Sequence, residues 1–180
     1  VFVLYTGYRY GWSERTVGLT LAVVGVCNMT VQGLLIKPIV ARWHERRALL
    51  AGLLCGTAGF LAFALSPSGA GIWASIPIFT LMGLFGPSSQ SLMSRSVDPT
   101  EQGRLQGASS SIMGITGMIG PGIFTLTFAY FIGAGSALKL PGAPFLLAAL
   151  LLMTAFALAW RVTRVPAPTV GTWAPSGSAE

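Results

Sequence analysis

The chain has 180 residues, of which 53% are hydrophobic and only 9% are charged. Soluble domains carry about 25% charged residues, so this composition excludes an ordinary water-soluble fold and predicts a membrane protein. The net charge of +6 comes from basic residues in short connectors between apolar runs, a pattern that indicates membrane topology and excludes a nucleic-acid-binding face.

A helix that crosses the hydrocarbon core needs about 20 mostly apolar residues. The sequence contains five such runs and one partial run, so the predicted spans are 1–8, 16–36, 48–65, 72–93, 105–132 and 143–160. The basic segment 37–47 is predicted to connect the second and third spans. Residues 161–180 are rich in Pro, Gly and Ser, which predicts a disordered tail. The chain begins in a hydrophobic run with neither Met nor a signal peptide, which predicts a truncated N-terminus.

The connectors also predict the orientation in the membrane, because alternate connectors lie on the same side. One side carries eight basic residues, namely Lys37, Arg42, Arg46, Arg47, Arg95, Arg104, Arg161 and Arg164. The other side carries three, namely Arg9, Arg15 and Lys139. Basic residues accumulate on the cytoplasmic side, so the first group and the C-terminal tail are predicted to be cytoplasmic. Lys37 lies one residue beyond its span and is expected to reach the inner headgroups by snorkelling.

The span at 105–132 is unusually rich in Gly and Pro, and Gly117, Gly120 and Pro121 lie at its centre. In lipid such a helix survives because the backbone must stay internally hydrogen-bonded. Two interpretations remain open. The small residues form a flat ridge for close helix packing, or they form a hinge that flexes during a change of conformation.

Polar uncharged residues within the spans are the candidates for contact with a ligand. Asn28 and Gln32 are four residues apart and therefore share a helix face. Gln90 lies beside Ser88, Ser89 and Ser91 just after Pro87. These amides either line a substrate pathway or form hydrogen bonds between helices, and the sequence leaves both interpretations open.

The sequence offers no catalytic or metal centre. The single histidine, His44, lies in a connector, and Cys27 and Cys55 lie in apolar runs without ligands at a suitable spacing. The serines have no neighbouring base to activate them. We therefore expect neither enzymatic activity nor a bound metal or cofactor, and interpret both cysteines as small apolar residues.

Three stretches of the sequence carry a family resemblance. They are Arg9-Tyr10-Gly11-Trp12 with Val17-Gly18, then Arg42-Trp43-His44-Glu45-Arg46, and finally Gln90 through Met93-Ser94-Arg95-Ser96-Val97-Asp98 and Gln102-Gly103-Arg104-Leu105-Gln106-Gly107 to Ile119-Gly120-Pro121. Together they resemble the tetracycline-resistance branch of the drug/proton antiporters in the major facilitator superfamily.

The resemblance implies an all-α integral membrane fold in which this chain forms the C-terminal six-helix bundle, from part of helix seven to helix twelve. It implies a secondary transporter that exports tetracycline-like or other amphipathic drugs by proton antiport through alternating access. The implied partners are the lipid bilayer, a small amphipathic substrate and a missing N-terminal half, with the proton gradient as energy source. The implied location is the bacterial inner membrane. A metabolite or sugar carrier of the same superfamily and an inactive truncated fragment remain as alternatives.

The sequence departs from the family pattern at several positions. Lys37, Ala41 and His44 stand where the loop motif of the superfamily has Gly, Asp and Gly. Asn28 and Gly56 stand where the tetracycline exporters commonly carry a membrane-embedded His and Asp. Proton coupling needs a titratable group inside the membrane, so the resemblance places the coupling carboxylates in the N-terminal half.

The connectors supply the candidates for gating, which are Arg42, Arg46, Arg95 and Arg104. Between the last two, Asp98 is predicted to cap a helix that continues through Pro99, with Glu101 bonding back to the cap. Arg95 and Arg104 flank this start, which predicts a charge network that closes the inward face.

Overall fold

The apolar runs fold as helices, because a helix satisfies its backbone hydrogen bonds within the segment. A computed structural model describes residues 1–133 and 139–163, and no strand occurs among them. The α-helices in this part are α1 Phe2–Tyr10, α2 Glu14–Thr30, α3 Ile36–Leu65, α4 Gly69–Thr80, α5 Phe85–Arg95, α6 Gln102–Ile132 and α7 Ala143–Val162. The described stretches long and apolar enough to cross a membrane are Glu14–Leu65, Gly69–Arg95, Gln102–Ile132 and Ala143–Val162. The prediction of an all-α membrane fold is confirmed.

The end of α1 and the start of α2 carry residue types that favour helix ends. Gly11 follows α1 with φ 62°, ψ 29°, a left-handed conformation that closes a helix at little cost for glycine. Ser13 precedes α2, and its hydroxyl accepts a hydrogen bond from the Thr16 amide at 3.4 Å. The chain therefore reverses between α1 and α2 within three residues.

Two helical rods, one running from α2 into α3 and the other from α4 into α5, each contain a short irregular segment at which the helix changes its pitch. Val31–Leu35 is a π-helix between α2 and α3, and Leu81–Leu84 is a 3-10 helix between α4 and α5. The two segments lie side by side, because a Cβ atom built on Gly83 would lie 3.7 Å from both Asn28 Oδ1 and Val31 Cγ1. Such irregularities within helices often mark functional positions.

The predicted connector 37–47 is helical up to Trp43, and the chain turns at one residue. His44 has φ 62° and ψ 156°, whereas its neighbours are helical. The stretch Glu14–Leu65 has 52 residues and would be about 78 Å long as one straight helix. This is more than twice the hydrocarbon core of about 30 Å, so the chain passes twice and turns back at His44.

The chain reversals gather at two opposite ends of the bundle. At the first, which we call the aromatic end, the Tyr10 hydroxyl donates to Ser66 O at 2.7 Å, and a Cβ atom built on Gly69 would meet the indole of Trp12 at 2.6 Å. At the second, which we call the basic end, Arg95 and Glu45 form an ion pair at 2.7 Å. The two predicted groups of basic residues thus belong to different ends. Arg164, from the larger group, lies outside the described residues, as does 164–180 of the predicted tail.

The core is built around α3, whose glycines allow other helices to approach closely. A Cβ atom on Gly52 would lie 2.8 Å from Phe85 N, and one on Gly59 would lie 2.7 Å from Phe79 Cα. Near the aromatic end, the ring centroids of Tyr5 and Phe145 are 4.8 Å apart. This packing holds α4, the 3-10 segment and α5 against α3.

By contrast, α6 is exposed along most of its length. Cβ atoms built on Gly114, Gly117 and Gly120 would meet no atom within 4 Å. Pro121 lies inside α6 without ending it. Among the described residues no helix packs closely on these glycines, so the ridge is available to a partner outside this part of the chain.

Candidate functional site

Asn28 and Gln32 face the neighbouring helical rod, as their spacing predicts. A Cβ atom on Gly83 would lie 3.7 Å from Asn28 Oδ1 and 3.9 Å from Gln32 Cγ. The Asn28 amide donates to Val24 O at 3.2 Å within its own helix. Its carbonyl oxygen and the whole amide of Gln32 have no hydrogen bond to the described residues, so they are available to a ligand or to water.

The polar side chains of this face lie next to two irregular stretches of backbone. A π-helix shifts the hydrogen-bonding register by one residue, and a 3-10 segment has poorer hydrogen-bond geometry than an α-helix. Gly83 adds no side chain at the point where the two segments meet. The result is a small polar patch, formed by Asn28, Gln32 and Gly83, within otherwise apolar spans.

Gln90 lies on α5 and bridges to the next helix. Its Nε2 donates to Gln106 Oε1 on α6 at 2.6 Å, so one of its donors bonds helix to helix. Gln106 was not among the residues selected from the sequence. Its signal was present, since it is an uncharged amide in the first turns of a spanning helix.

Ser88 is buried on the opposite side of α5, with 1% of its surface exposed, and its hydroxyl has no hydrogen-bond partner among the described residues. It borders a cavity of about 360 Å³ at the basic end. Lys37, Glu45 and Ser91 line the same cavity. Lys37 therefore lies near the basic end, and its snorkelling to the headgroups stays a prediction.

The shortest ion pair among the described residues is formed by Glu45, which lines this cavity. Arg95 Nη2 lies 2.7 Å from Glu45 Oε1, and the Ser91 hydroxyl donates to the same oxygen at 3.4 Å. A hydrogen bond from its own backbone N–H and then the charge of Arg95 lower the pKa of the Glu45 carboxyl, although partial burial opposes them. The pair links the turn at His44 to the end of α5.

The other gating candidates are separate from this pair. Arg46 Nε donates to Thr163 Oγ1 at 3.0 Å. Arg104 contacts Glu101 at 3.4 Å within its own turn. Arg42 is exposed and has no ionic partner among the described residues. The predicted network joining Arg95 to Arg104 is therefore not formed.

The predicted start of α6 was also wrong. The helix begins at Gln102 after Glu101, and Leu105 N donates to Glu101 O at 3.0 Å. Asp98 instead accepts from Glu101 N at 2.9 Å through its carbonyl oxygen, which makes a single turn ahead of the helix. The capping motif was misassigned because a turn and a helix start share the same residue types.

The aromatic end contains a polar clamp that sequence reasoning missed. The fully buried Tyr5 donates to Phe63 O at 2.9 Å, and Tyr10 donates to Ser66 O at 2.7 Å. Arg9 also donates to Ser66 O, at 3.2 Å. The clamp fixes the end of α1 on the end of α3. Its sequence signal was the run of tyrosines before Gly11.

Titratable groups and metal ligands are sparse in the interior of the bundle. The described acidic residues are Glu14, Glu45, Asp98 and Glu101. All four lie at or near helix ends, and no group of three His, Cys, Asp or Glu side chains suited to a metal occurs in this part. The described cysteines are free thiols and lie half-buried. The central part of the site is therefore made of neutral amides and hydroxyls.

Comparison with known proteins gives a consistent set of relatives. A family model described as Major Facilitator Superfamily matches residues 1–178. The class H tetracycline resistance protein of Pasteurella multocida is 32% identical over 160 residues, which is 87% of this chain and 39% of that protein. The class C protein of Escherichia coli is 32% identical over 132 residues, or 72% of this chain and 33% of that protein.

A more distant relative is the hippocampus abundant transcript-like protein 1 of Bos taurus. It is 25% identical over 177 residues, which cover 88% of this chain and 34% of that protein. This chain spans less than half the length of each of these relatives. No solved structure matches it significantly.

Proposed function

The chain belongs to the major facilitator superfamily, and we propose that it forms the C-terminal six-helix half of a carrier that exports tetracycline-like or other amphipathic drugs. Membership makes it part of a multi-pass membrane transporter. The observation that carries the proposal is the polar patch of Asn28, Gln32 and Gly83, which lies where two irregular helical segments meet. The names of the relatives support tetracycline-like compounds as the substrate class.

Amides suit this role because they are neutral and carry both donors and acceptors. A site built to hydrogen-bond a polar substrate rejects analogues that leave its groups unpaired. Gln32 has no partner in the described chain, whereas Gln90 already bonds Gln106. We therefore assign the main substrate contact to Gln32 and Asn28, and assign Gln90 to the wall between α5 and α6.

Alternating access requires that each end of the pathway closes in turn. The Glu45–Arg95 pair holds the turn at His44 against α5, and we assign it to closure of the basic end. The tyrosine clamp at Ser66 fixes the opposite end. The basic end faces the cytoplasm in this proposal, because basic connectors accumulate there, and the membrane is the bacterial inner membrane.

Proton antiport is the proposed source of energy. The described acidic residues lie at helix ends, and Gly56, where the resemblance implies an acid, has no side chain. Coupling requires a titratable group in the membrane, so the proposal assigns it to an N-terminal six-helix half. That half is also the proposed partner for the exposed glycines of α6.

The test compares two glutamines in the complete protein. Gln32→Ala should change the relative export of a set of tetracyclines and other amphipathic drugs, measured as drug accumulation in a susceptible strain. Gln102→Ala is the matched control, since Gln102 lies exposed at the start of α6. Both variants should reach the membrane in equal amounts, measured by immunoblot of the membrane fraction.

Two outcomes would contradict the proposal in different ways. An unchanged drug profile with less protein in the membrane would assign Gln32 to helix packing alone. If the unmutated protein is abundant in the membrane and drug accumulation does not change, the metabolite or sugar carrier becomes the better interpretation. The departure at Gly56 favours that alternative.

A further inference from the structure

A second groove lies on the outer side of the bundle, between α3 and α7 at the basic end, and is separate from the polar patch. It has a volume of about 370 Å³. Its lining consists of one cation, two indoles and apolar side chains, namely Trp43, Arg47, Leu50, Ala51, Leu54, Phe156 and Trp160. The polar groups are at one end, so the groove is amphipathic along its length.

The groove follows regular helix faces. Arg47, Leu50 and Leu54 lie three and four residues apart, so they form one stripe on α3. On α7, the rings of Phe156 and Trp160 stack with their centroids 5.9 Å apart. The stripe from Arg47 to Leu54 covers eight residues, and the seven steps between them span about 10 Å. This is about two-thirds of one leaflet, which is half of a core about 30 Å thick.

The charge at the mouth of the groove is not compensated by any residue that the structure describes. Arg47 is exposed and has no anionic partner among the described residues. Its neighbour Glu45 is already paired with Arg95 at 2.7 Å. Arg46 is also engaged, since it donates to Thr163 and lies 5.6 Å over the Trp160 ring. Arg46 thus fixes the indole, and Arg47 is left to bind an anion.

We propose that this groove binds an anionic phospholipid such as phosphatidylglycerol. The phosphate lies at Arg47 between the indoles of Trp43 and Trp160, and one acyl chain lies along Leu50 and Leu54. Indole rings prefer the headgroup level of a membrane, and basic pockets between membrane helices bind anionic headgroups. The exposed surfaces of Trp43 and Leu54, 45% and 44%, would be covered by the lipid. The inference rests on the membrane placement of the chain and does not depend on what is transported.

The test is native mass spectrometry of the complete protein, purified in detergent and titrated with phosphatidylglycerol or with zwitterionic phosphatidylethanolamine. Arg47→Gln should weaken phosphatidylglycerol binding about fivefold, the effect of one basic residue at a membrane surface, and should weaken phosphatidylethanolamine binding less, because the ammonium of that lipid already neutralises its phosphate. Arg47→Lys keeps the charge and should keep the preference for phosphatidylglycerol. Arg15→Gln is the matched control, because Arg15 belongs to the connector at the opposite end.

A second variant tests the acyl-chain part of the groove. Leu54→Trp fills the groove and keeps Arg47, so it should weaken the binding of both lipids. Unchanged phosphatidylglycerol binding in either Arg47→Gln or Leu54→Trp would overturn the proposal. Displacement of the lipid by millimolar inorganic phosphate would also overturn it, since the site would then bind a free anion.

Discussion

The backbone at His44 allows a quantitative prediction. Its φ of 62° and ψ of 156° define a region that is in practice reserved for glycine, and a residue held there stores about 1–3 kcal/mol of strain. The imidazole makes no hydrogen bond in the described structure that would offset this cost. His44→Gly removes the strain, but it also raises the conformational entropy of the unfolded chain, which lowers stability by about 0.4–1 kcal/mol. The strain is the larger effect, so we expect a net stabilisation of about 0.5–2 kcal/mol.

The assay is thermal unfolding of the complete protein in detergent, with His44→Ala as the control. Alanine keeps the Cβ atom that causes the strain, and it removes the imidazole as glycine does. Since 1 kcal/mol shifts the midpoint of a unit of 150–250 residues by about 2–4 °C, and that of a longer protein by less, the glycine variant should melt above the alanine variant by at most about 8 °C. If the two variants melted together, or the glycine variant melted lower, residue 44 would not be strained in the folded protein.

Three further predictions concern the site and the orientation. Gly83→Ala should leave transport unchanged, because its Cβ atom would lie at ordinary contact distances of 3.7–3.9 Å from its neighbours, whereas Gly83→Leu should fill the polar patch and reduce drug export without reducing membrane abundance. For the Glu45–Arg95 pair, a cysteine is placed at the buried Ser88 in a background without native cysteines, and its labelling by maleimide is timed. Glu45→Gln should speed this labelling, whereas the control Glu101→Gln, which breaks only an exposed ion pair, should leave the rate unchanged. Since the pKa of Glu45 is lowered from its ordinary value of 4.5, the Glu45–Arg95 pair should persist down to that pH and break only below it. The labelling rate is taken relative to that of Glu45→Gln at the same pH, which cancels the pH dependence of thiolate reactivity, and a rise of this ratio already above the ordinary pKa would refute the prediction. In intact cells an impermeant reagent should label a cysteine at 139 but not at 47, and the reverse result would invert the orientation.

The all-α membrane fold was predictable because it follows from averaged properties. Long apolar runs with few charges must form helices in lipid. Which apolar residue stands at a given position makes little difference to this prediction. The ends of helices depend on individual backbone geometry, which the averages do not contain. The chain continues as a helix through Lys37 to Trp43 even though the segment is basic and contains Pro38. It turns at His44, and α6 starts after Glu101 instead of at Asp98.

The candidate site was predictable in part. The common face of Asn28 and Gln32 followed from helical periodicity alone. Their position opposite Gly83 did not, because it depends on how two rods pack and on irregular segments that look like ordinary apolar sequence. The partner of Gln90 was missed for a similar reason, since hydrogen bonds between helices depend on relative rotation. Glu45 and Arg95 are 50 positions apart, and only the packing of α3 on α5 brings them together.

The two departures from the tetracycline exporters have different structural consequences. At position 28 an amide replaces the implied His, so a hydrogen-bonding group is kept on the face toward Gly83 and only the titration is lost. At position 56 a glycine replaces the implied Asp, and a Cβ atom there would meet Met82 at 2.8 Å and Leu152 at 3.1 Å. An acid at that position would require the flexible side chains of Met82 and Leu152 to shift. The chain thus keeps a hydrogen-bonding side chain at position 28 and has no side chain that could ionise at position 56, so the first departure is compatible with the proposed pathway and the second removes a charge from it.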